Sequence, residues 1–314
     1  MTATAQVTPT LGEFVELAKQ GDVIPVFAEF IADGETPVSA FKKLDSGGYS
    51  FLFESTEKND VSGRFSFIGV DPRVVMQSHG REVRITEQER EHRLQISRGP
   101  VDEVQRLMSR YHFVSHPELP RFAGGAVGFI GYEAIHFFEP KVPLPDQDEL
   151  GLPEALLMIP SAILIFDHRL RSLKIVLNAF LEDGEIEKVY SRAVESIDDI
   201  ARKLSQPTRL PLVPIAEEEL QFAGRDASSL GAARRPYQSN FEPEDFKRAV
   251  NRAKEYILAG DIFQVVLSQR FESSFSGTPL DFYRCLRFIN PSPYMPFCPQ
   301  FASHARCRQI MRSS

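Results

Sequence analysis

Two β-rich runs around a short polar turn, AILIFDHRLRSLKIVLNAF at 162–180, constrain this chain most. Strands joined by so short a connection pair antiparallel, because a parallel pair needs a long crossover. A helix is predicted directly after them, from Ile186 to Leu204, with Ile186, Tyr190, Ala193, Ile197, Ile200 and Leu204 recurring at spacings of three and four. Strands and helices mix along the chain without regular βαβ alternation. The expected fold class is therefore α+β, mostly antiparallel sheets packed with helices.

Other segments carry similar signals. Residues 1–10 read as a loose terminus, followed by a short helix capped by Thr10 with Leu11, Phe14 and Leu17 on one face. DVIPVFAEFIA (22–32) reads as a strand, and TPVSAFKKL (36–44) as a helix with Thr36 as cap and Pro37 at its first position. SFLFES (50–55) and RFSFIGV (64–70) are strand-like, and VVMQSHGREVRIT (74–86) is a hairpin turning at His79-Gly80. Prolines, an acidic run and a Ser/Ala/Gly stretch make 205–242 a linker or long surface loop. A helix from Pro243 to Ala259 follows, with Phe246, Val250, Ala253 and Ile257 on one face and Gly260 as its cap. IFQVVLSQRF (262–271) then reads as a strand with Phe263, Val265, Leu267 and Phe271 on one face and Gln264, Val266, Ser268 and Arg270 on the other. The expected organisation is a first domain at 1–204, the linker at 205–242, a second domain beginning at 243–295, and a tail at 296–314.

The tail, PFCPQFASHARCRQIMRSS, has no Asp or Glu and shows neither strand alternation nor a helical stripe. The chain's formal net charge is −7, with 36 basic and 43 acidic residues. Such a balance argues against nucleic acid or an anionic membrane as partner, since phosphate binding asks for a basic face. No apolar run reaches a membrane-spanning length, the N-terminus has no signal-peptide pattern, and three scattered cysteines outline neither disulfide framework nor metal spacing. Cytoplasm is the expected compartment.

Read alone, Gln264 is a polar strand residue, Ser55 ends a strand, and NPSPYM (290–295) is a proline-stiffened turn. The glycines of GGAVGFIGYE, at 125, 128 and 131, lack the Gly-Lys-Ser/Thr of a phosphate loop and fit close packing better. His112, His116, His136 and His168 are candidate bases or ligands without metal spacing, and His168, in a hairpin turn, is expected to be a structural hydrogen-bonder.

DVIPVFAEF (22–30), TPVSAFKKL, FLFES (51–55) with GRFSFIG (63–69), GGAVGFIGYE (124–133), DELGLPEALLM (148–158), FDH (166–168), AKEYILAGDIFQVVLSQRF (253–271) and LRFINPSPYM (286–295) occur in one order. Together they resemble anthranilate synthase component I, a chorismate-utilising enzyme, over roughly residues 11–295. Aminodeoxychorismate synthase component I shares the glutamine at 264 and is the alternative enzyme. A non-catalytic remnant that binds tryptophan or a subunit is the alternative outside catalysis.

The resemblance implies a chorismate-enzyme-like sandwich that forms anthranilate and pyruvate from chorismate, with ammonia from a glutamine amidotransferase subunit (component II). It also implies Mg²⁺ dependence and feedback by tryptophan. Carried over residue by residue, the tryptophan site comprises Glu54, Ser55, Pro293, Tyr294 and Met295, with Arg64 beside them. Gln264 falls on the active-site strand, where related enzymes that add water usually carry a lysine base. The catalytic half with its Mg²⁺ ligands is expected after NPSPYM. The tail is expected not to be family sequence, as a shifted reading frame after Met295 would produce. No metal ligand is assigned here, the chain alone is expected to be catalytically incomplete, and 243–295 is expected to pack poorly.

Overall fold

The computed structural model describes residues 6–55, 63–88, 90–144, 148, 150–213, 237–273, 275 and 277–300. It divides into two compact units, residues 1–214 with 290–300 and residues 215–289 with 301–314.

The first unit is built on two long antiparallel strands, β4 (Phe65–His79) and β8 (Ala155–Asp167). They pair from Phe65↔Asp167 to Ser78↔Ala155, with a register shift between Pro72 and Val74. Asp71 there takes φ +49°. A bulge at this point bends both strands, so each end of the pair has its own neighbours. At one end the order is β1 (Val7–Thr8), β2 (Val23–Ile31), β9 (Ser172–Phe180), β8, β4, β3 (Phe51–Glu54), β12 (Met295–Phe297). At the other end, β7 (Val127–Ile130) joins β8, while β5 (Glu82–Glu87) and β6 (Arg90–Gln95) extend β4. All these pairings are antiparallel.

The helices explain themselves locally. α1 (Leu11–Leu17) and α2 (Pro37–Leu44) each start with a capping box, Thr10 with Glu13 and Thr36 with Ser39. α4 (Ile186–Leu204) buries Val189, Ala193, Ile197, Ile200 and Leu204 and packs on β2 and β9. Phe14 of α1 stacks on Tyr190 of α4. α3 (Pro100–Met108), absent from the sequence reading, has Pro100 in its first turn and sends Leu107 into a core with Met76, Val83, Ile85 and Tyr111. On the face of the sheet opposite α2, Phe27, Ile163, Ile165 and Val176 form a second core, with Phe65, Phe67 and Phe122 against it.

Several boundaries differ from expectation. The terminus read as loose contains β1, whose Val7 and Thr8 pair with Ala28 and Phe27; two residues are too few to show an alternation. The hairpin at 74–86 turns at Gly80-Arg81, with His79 paired to Glu82 and Gly80 at φ +58°, as a type II′ turn requires. Gly128 is forced by packing, because a Cβ there would lie 1.9 Å from the Leu156 carbonyl oxygen.

The largest correction concerns the tail. Its first residues belong to the first unit: Phe297 is buried in β12, its ring 5.4 Å from that of Phe41. Gln300 Oε1 accepts the Ser50 amide at 3.2 Å, and burial pushes the Cys298 thiol up to about 12. An alternation carried by three residues escapes a pattern search. Residues 301–314 lie outside the described residues, as does most of the linker.

In the second unit α5 (Pro243–Ala259) ends at Gly260 in the left-handed conformation, as the sequence predicts. α6 (Pro279–Ile289), not read from the sequence, buries Leu280 and Tyr283. The strand expected at 262–271 does not form. Among the described residues only Phe271 and Glu272 pair, as β11, with Gln238 and Ser239 (β10). A strand exists only through its partner's hydrogen bonds, and residues 263–270 have none in a sheet here.

Candidate functional site

The residues expected to form an effector site converge at one end of the first unit's sheet. β3 ends in Glu54, and β12 begins with Met295, and these two residues are directly opposite in the antiparallel register. Leu52 is opposite Phe297 in the same ladder. Residues facing each other across a ladder project to the same face, so Glu54, Met295, Leu52 and Phe297 share one. Glu54 is only 6% exposed and Met295 equally so, whereas Tyr294 is 84% exposed. Pro293 immediately precedes it, and Ser55 follows Glu54 at the strand end.

A carboxylate this buried is costly unless opposite charge and hydrogen bonds compensate it. Opposite it is the Met295 thioether, and next along the chain come the Ser55 hydroxyl after Glu54 and the exposed Tyr294 phenol before Met295. Such a set can hold an ammonium on the acid and lay an aromatic ring against methionine, proline and tyrosine.

Arg64 lies at the same end, just before β4, but its guanidinium is committed. Nε and Nη2 donate to Asp167 Oδ2 at 2.9 and 2.6 Å. Burial alone would raise the Asp167 carboxyl. The Arg64 hydrogen bonds, with those from the Leu170 and Arg169 amides, outweigh it and hold Asp167 below the usual carboxylate range. Next to this pair, Ser66 Oγ and His168 Nε2 are 2.7 Å apart. The expectation that His168 is a structural hydrogen-bonder thus has a concrete partner, on the neighbouring strand. Sequence reading gave Asp167 and Ser66 no role. The FDH and GRFS motifs contained both, but only strand pairing relates them.

Gln264 belongs to the second unit, in the unpaired stretch before β11, and is exposed. Among the other histidines, the His112 ring lies 3.2 Å from Asp22 Oδ2, and His116 packs edge-on to Phe27. A cleft of about 680 Å³ between the Phe30–Glu35 turn and the last turn of α4 contains none of the predicted site residues.

The chorismate binding enzyme family matches residues 49–304 of this chain. The chain belongs to that family. The match runs through β3, Gln264 and NPSPYM and reaches residue 304. Among curated relatives, anthranilate synthase component 1 of Acetivibrio thermocellus is 38% identical over 289 residues, covering 91% of this chain and 56% of the relative. The Synechocystis protein of the same name is 39% identical, with 93% and 56% covered. In solved structures, anthranilate synthase component I from Streptococcus pneumoniae TIGR4 superposes with a TM-score of 0.53 at 25% identity, covering 83% of this chain and 52% of that one. This chorismate-binding family member therefore spans about half the length of the curated relatives it matches. Its mixed fold of antiparallel sheet and helices is that of its structural relative. No helix among the described residues is long and apolar enough to cross a membrane.

Proposed function

We propose that this chain carries the effector-binding part, and the beginning of the chorismate-binding part, of an anthranilate synthase component I. The reaction of the whole enzyme would join chorismate and ammonia into anthranilate and pyruvate with loss of water. A glutamine amidotransferase partner would supply the ammonia, and tryptophan would act as feedback ligand. The observation that carries this reading is the pairing of Glu54 with Met295. It joins the two sequence segments of the proposed effector site in one ladder, in a chain whose relatives are named anthranilate synthase component 1.

In this reading the Glu54 carboxylate takes the α-ammonium of tryptophan and the Ser55 hydroxyl adds a hydrogen bond. Pro293, exposed Tyr294 and Met295 cover the indole. Arg64 shapes the strand end through Asp167. Gln264 is a neutral amide that cannot accept a proton at neutral pH, so its part would be to orient rather than to act as base. That suits ammonia, a nucleophile needing less activation than water.

Among the described residues no group of three or more His, Cys, Asp or Glu is placed to hold a metal ion. The chain's coverage of 56% of its relatives supports the further proposal that these 314 residues alone do not make anthranilate.

Two measurements test the reading. Calorimetry of the 314-residue chain with L-tryptophan should give binding heat that Glu54→Ala abolishes; no heat at millimolar ligand removes the effector site. Anthranilate fluorescence after incubation with chorismate, ammonium and Mg²⁺ should stay at background, and a signal would show that the chain is catalytically sufficient.

A further inference from the structure

The face that carries Glu54 is ordered in rows across the sheet. One row is apolar throughout: Phe297, Leu52, Ile68 and Leu164 are opposite one another on β12, β3, β4 and β8, and all are buried. The next row is mixed. Met295 pairs with Glu54, and Ser66 pairs with Phe166. Phe53 pairs with Phe67, so one step further along the same antiparallel count sets Glu54 opposite Ser66. Directly opposed residues on neighbouring strands have Cβ atoms about 5 Å apart.

Ser66 is 1% exposed, and its Oγ lies 2.7 Å from Nε2 of His168, a residue on the exposed side of the strand end. The His168 backbone is fixed from below, where its amide donates to the Arg64 carbonyl at 2.9 Å. The neighbouring Asp167 is held by the Arg64 guanidinium. A buried hydroxyl that meets an imidazole, with a carboxylate opposite it by register, can serve both, since it has one proton to give and lone pairs to receive. With the imidazole proton on Nε2, His168 donates to the Ser66 oxygen and the hydroxyl proton is free to point at Glu54.

We infer that Ser66 and His168 are positioning residues of the effector pocket, a relay from His168 through the Ser66 hydroxyl that orients the Glu54 carboxylate toward the ligand's ammonium. This rests on the tryptophan reading given above. It assigns no ligand contact to either residue. The Arg64–Asp167 pair is the clamp that keeps the relay in register.

The test separates hydroxyl from volume. Ser66→Thr and Ser66→Val place nearly the same bulk at a buried position, but only threonine keeps the hydroxyl. Tryptophan affinity should stay within about twofold between wild type and the Thr variant, and fall about tenfold in the Val variant, the size of one lost hydrogen bond to a charged group. The melting temperatures of the two variants should agree. His168→Gln and His168→Leu repeat the comparison at an exposed position, so the test survives if the Val variant fails to fold. Glutamine should bind tryptophan more tightly than leucine by several-fold. Equal affinities within each pair overturn the relay while leaving the effector reading intact; no binding by the wild-type chain overturns that reading and the relay with it.

Discussion

α4 and α5 are helices of similar length and the same apolar periodicity, yet they end differently. α4 buries five side chains against β2, β9 and the neighbouring helices. α5 buries none: Ile257 on its apolar face is 44% exposed and Leu258 88%. An amphipathic stripe and good end signals are enough to form a helix in both. They do not decide whether the stripe is covered, because coverage comes from a layer elsewhere in the chain.

The electrostatics differ in the same way. Arg73 in the first unit is almost fully buried. It pairs with Asp183 at 2.8 and 2.9 Å and with Glu182 at 2.6 Å, and lies over the Phe180 ring. Burial would lower its pKa, but these carboxylates outweigh it and raise it. The pairs on α5, such as Arg252–Glu255 with both side chains 63% exposed, are solvated. Pairs of that kind contribute only a few tenths of a kcal/mol.

The contrast can be broken most directly in the cores. Ile197→Ala, at a side chain with no exposure, should cost about 3 kcal/mol. Ile257→Ala should cost well under about 1 kcal/mol. Urea denaturation followed by circular dichroism measures both, and equal losses would mean that α5 is covered after all. A smaller effect is expected from charge. Arg73→Met should cost about 2 kcal/mol, below the roughly 3–5 kcal/mol of a fully enclosed pair because its acidic partners keep some water. Arg252→Met should be within about 0.5 kcal/mol of neutral.

The smallest effect is a pH dependence. The Asp167 carboxyl is held below its unfolded value by Arg64 and two backbone amides. A depressed folded pKa gives stability that is complete above the unfolded pKa, near 4, and is lost as pH falls through the folded value. Asp167→Asn should therefore lower the melting temperature at pH 7 by an amount equivalent to about 1 kcal/mol. Toward pH 3 the gap from wild type should narrow; a gap that is constant from pH 7 to 3 would show that Arg64 does not depress this group.

Much of the fold was legible. Thr36 and Pro37 place the start of α2, Gly260 places the end of α5, and His79-Gly80 lies within one residue of the hairpin turn. What was missed had weak local signals or drew them from elsewhere. β6, REHRLQ, has no apolar face, and its register comes entirely from β5. β12 is three residues long. At 262–271 the reverse happened: the alternation was present, but among the described residues only Phe271 of this run is paired in a ladder.

The candidate site divides in the same way. The expectation that residues 54–55 and 293–295 form one site came from family resemblance and sequence motifs. That Met295 is the direct neighbour of Glu54, that Arg64 is turned to Asp167, and that Ser66 meets His168 came from strand register. By itself the sequence determined α1, α2, α4 and α5, the main turns and the family, because caps, periodicity and glycine conformation depend on residues within about four positions of each other. Tertiary structure alone decided which stripes were buried and which polar groups met, because a sheet brings distant segments side by side through backbone hydrogen bonds that leave no mark in either segment.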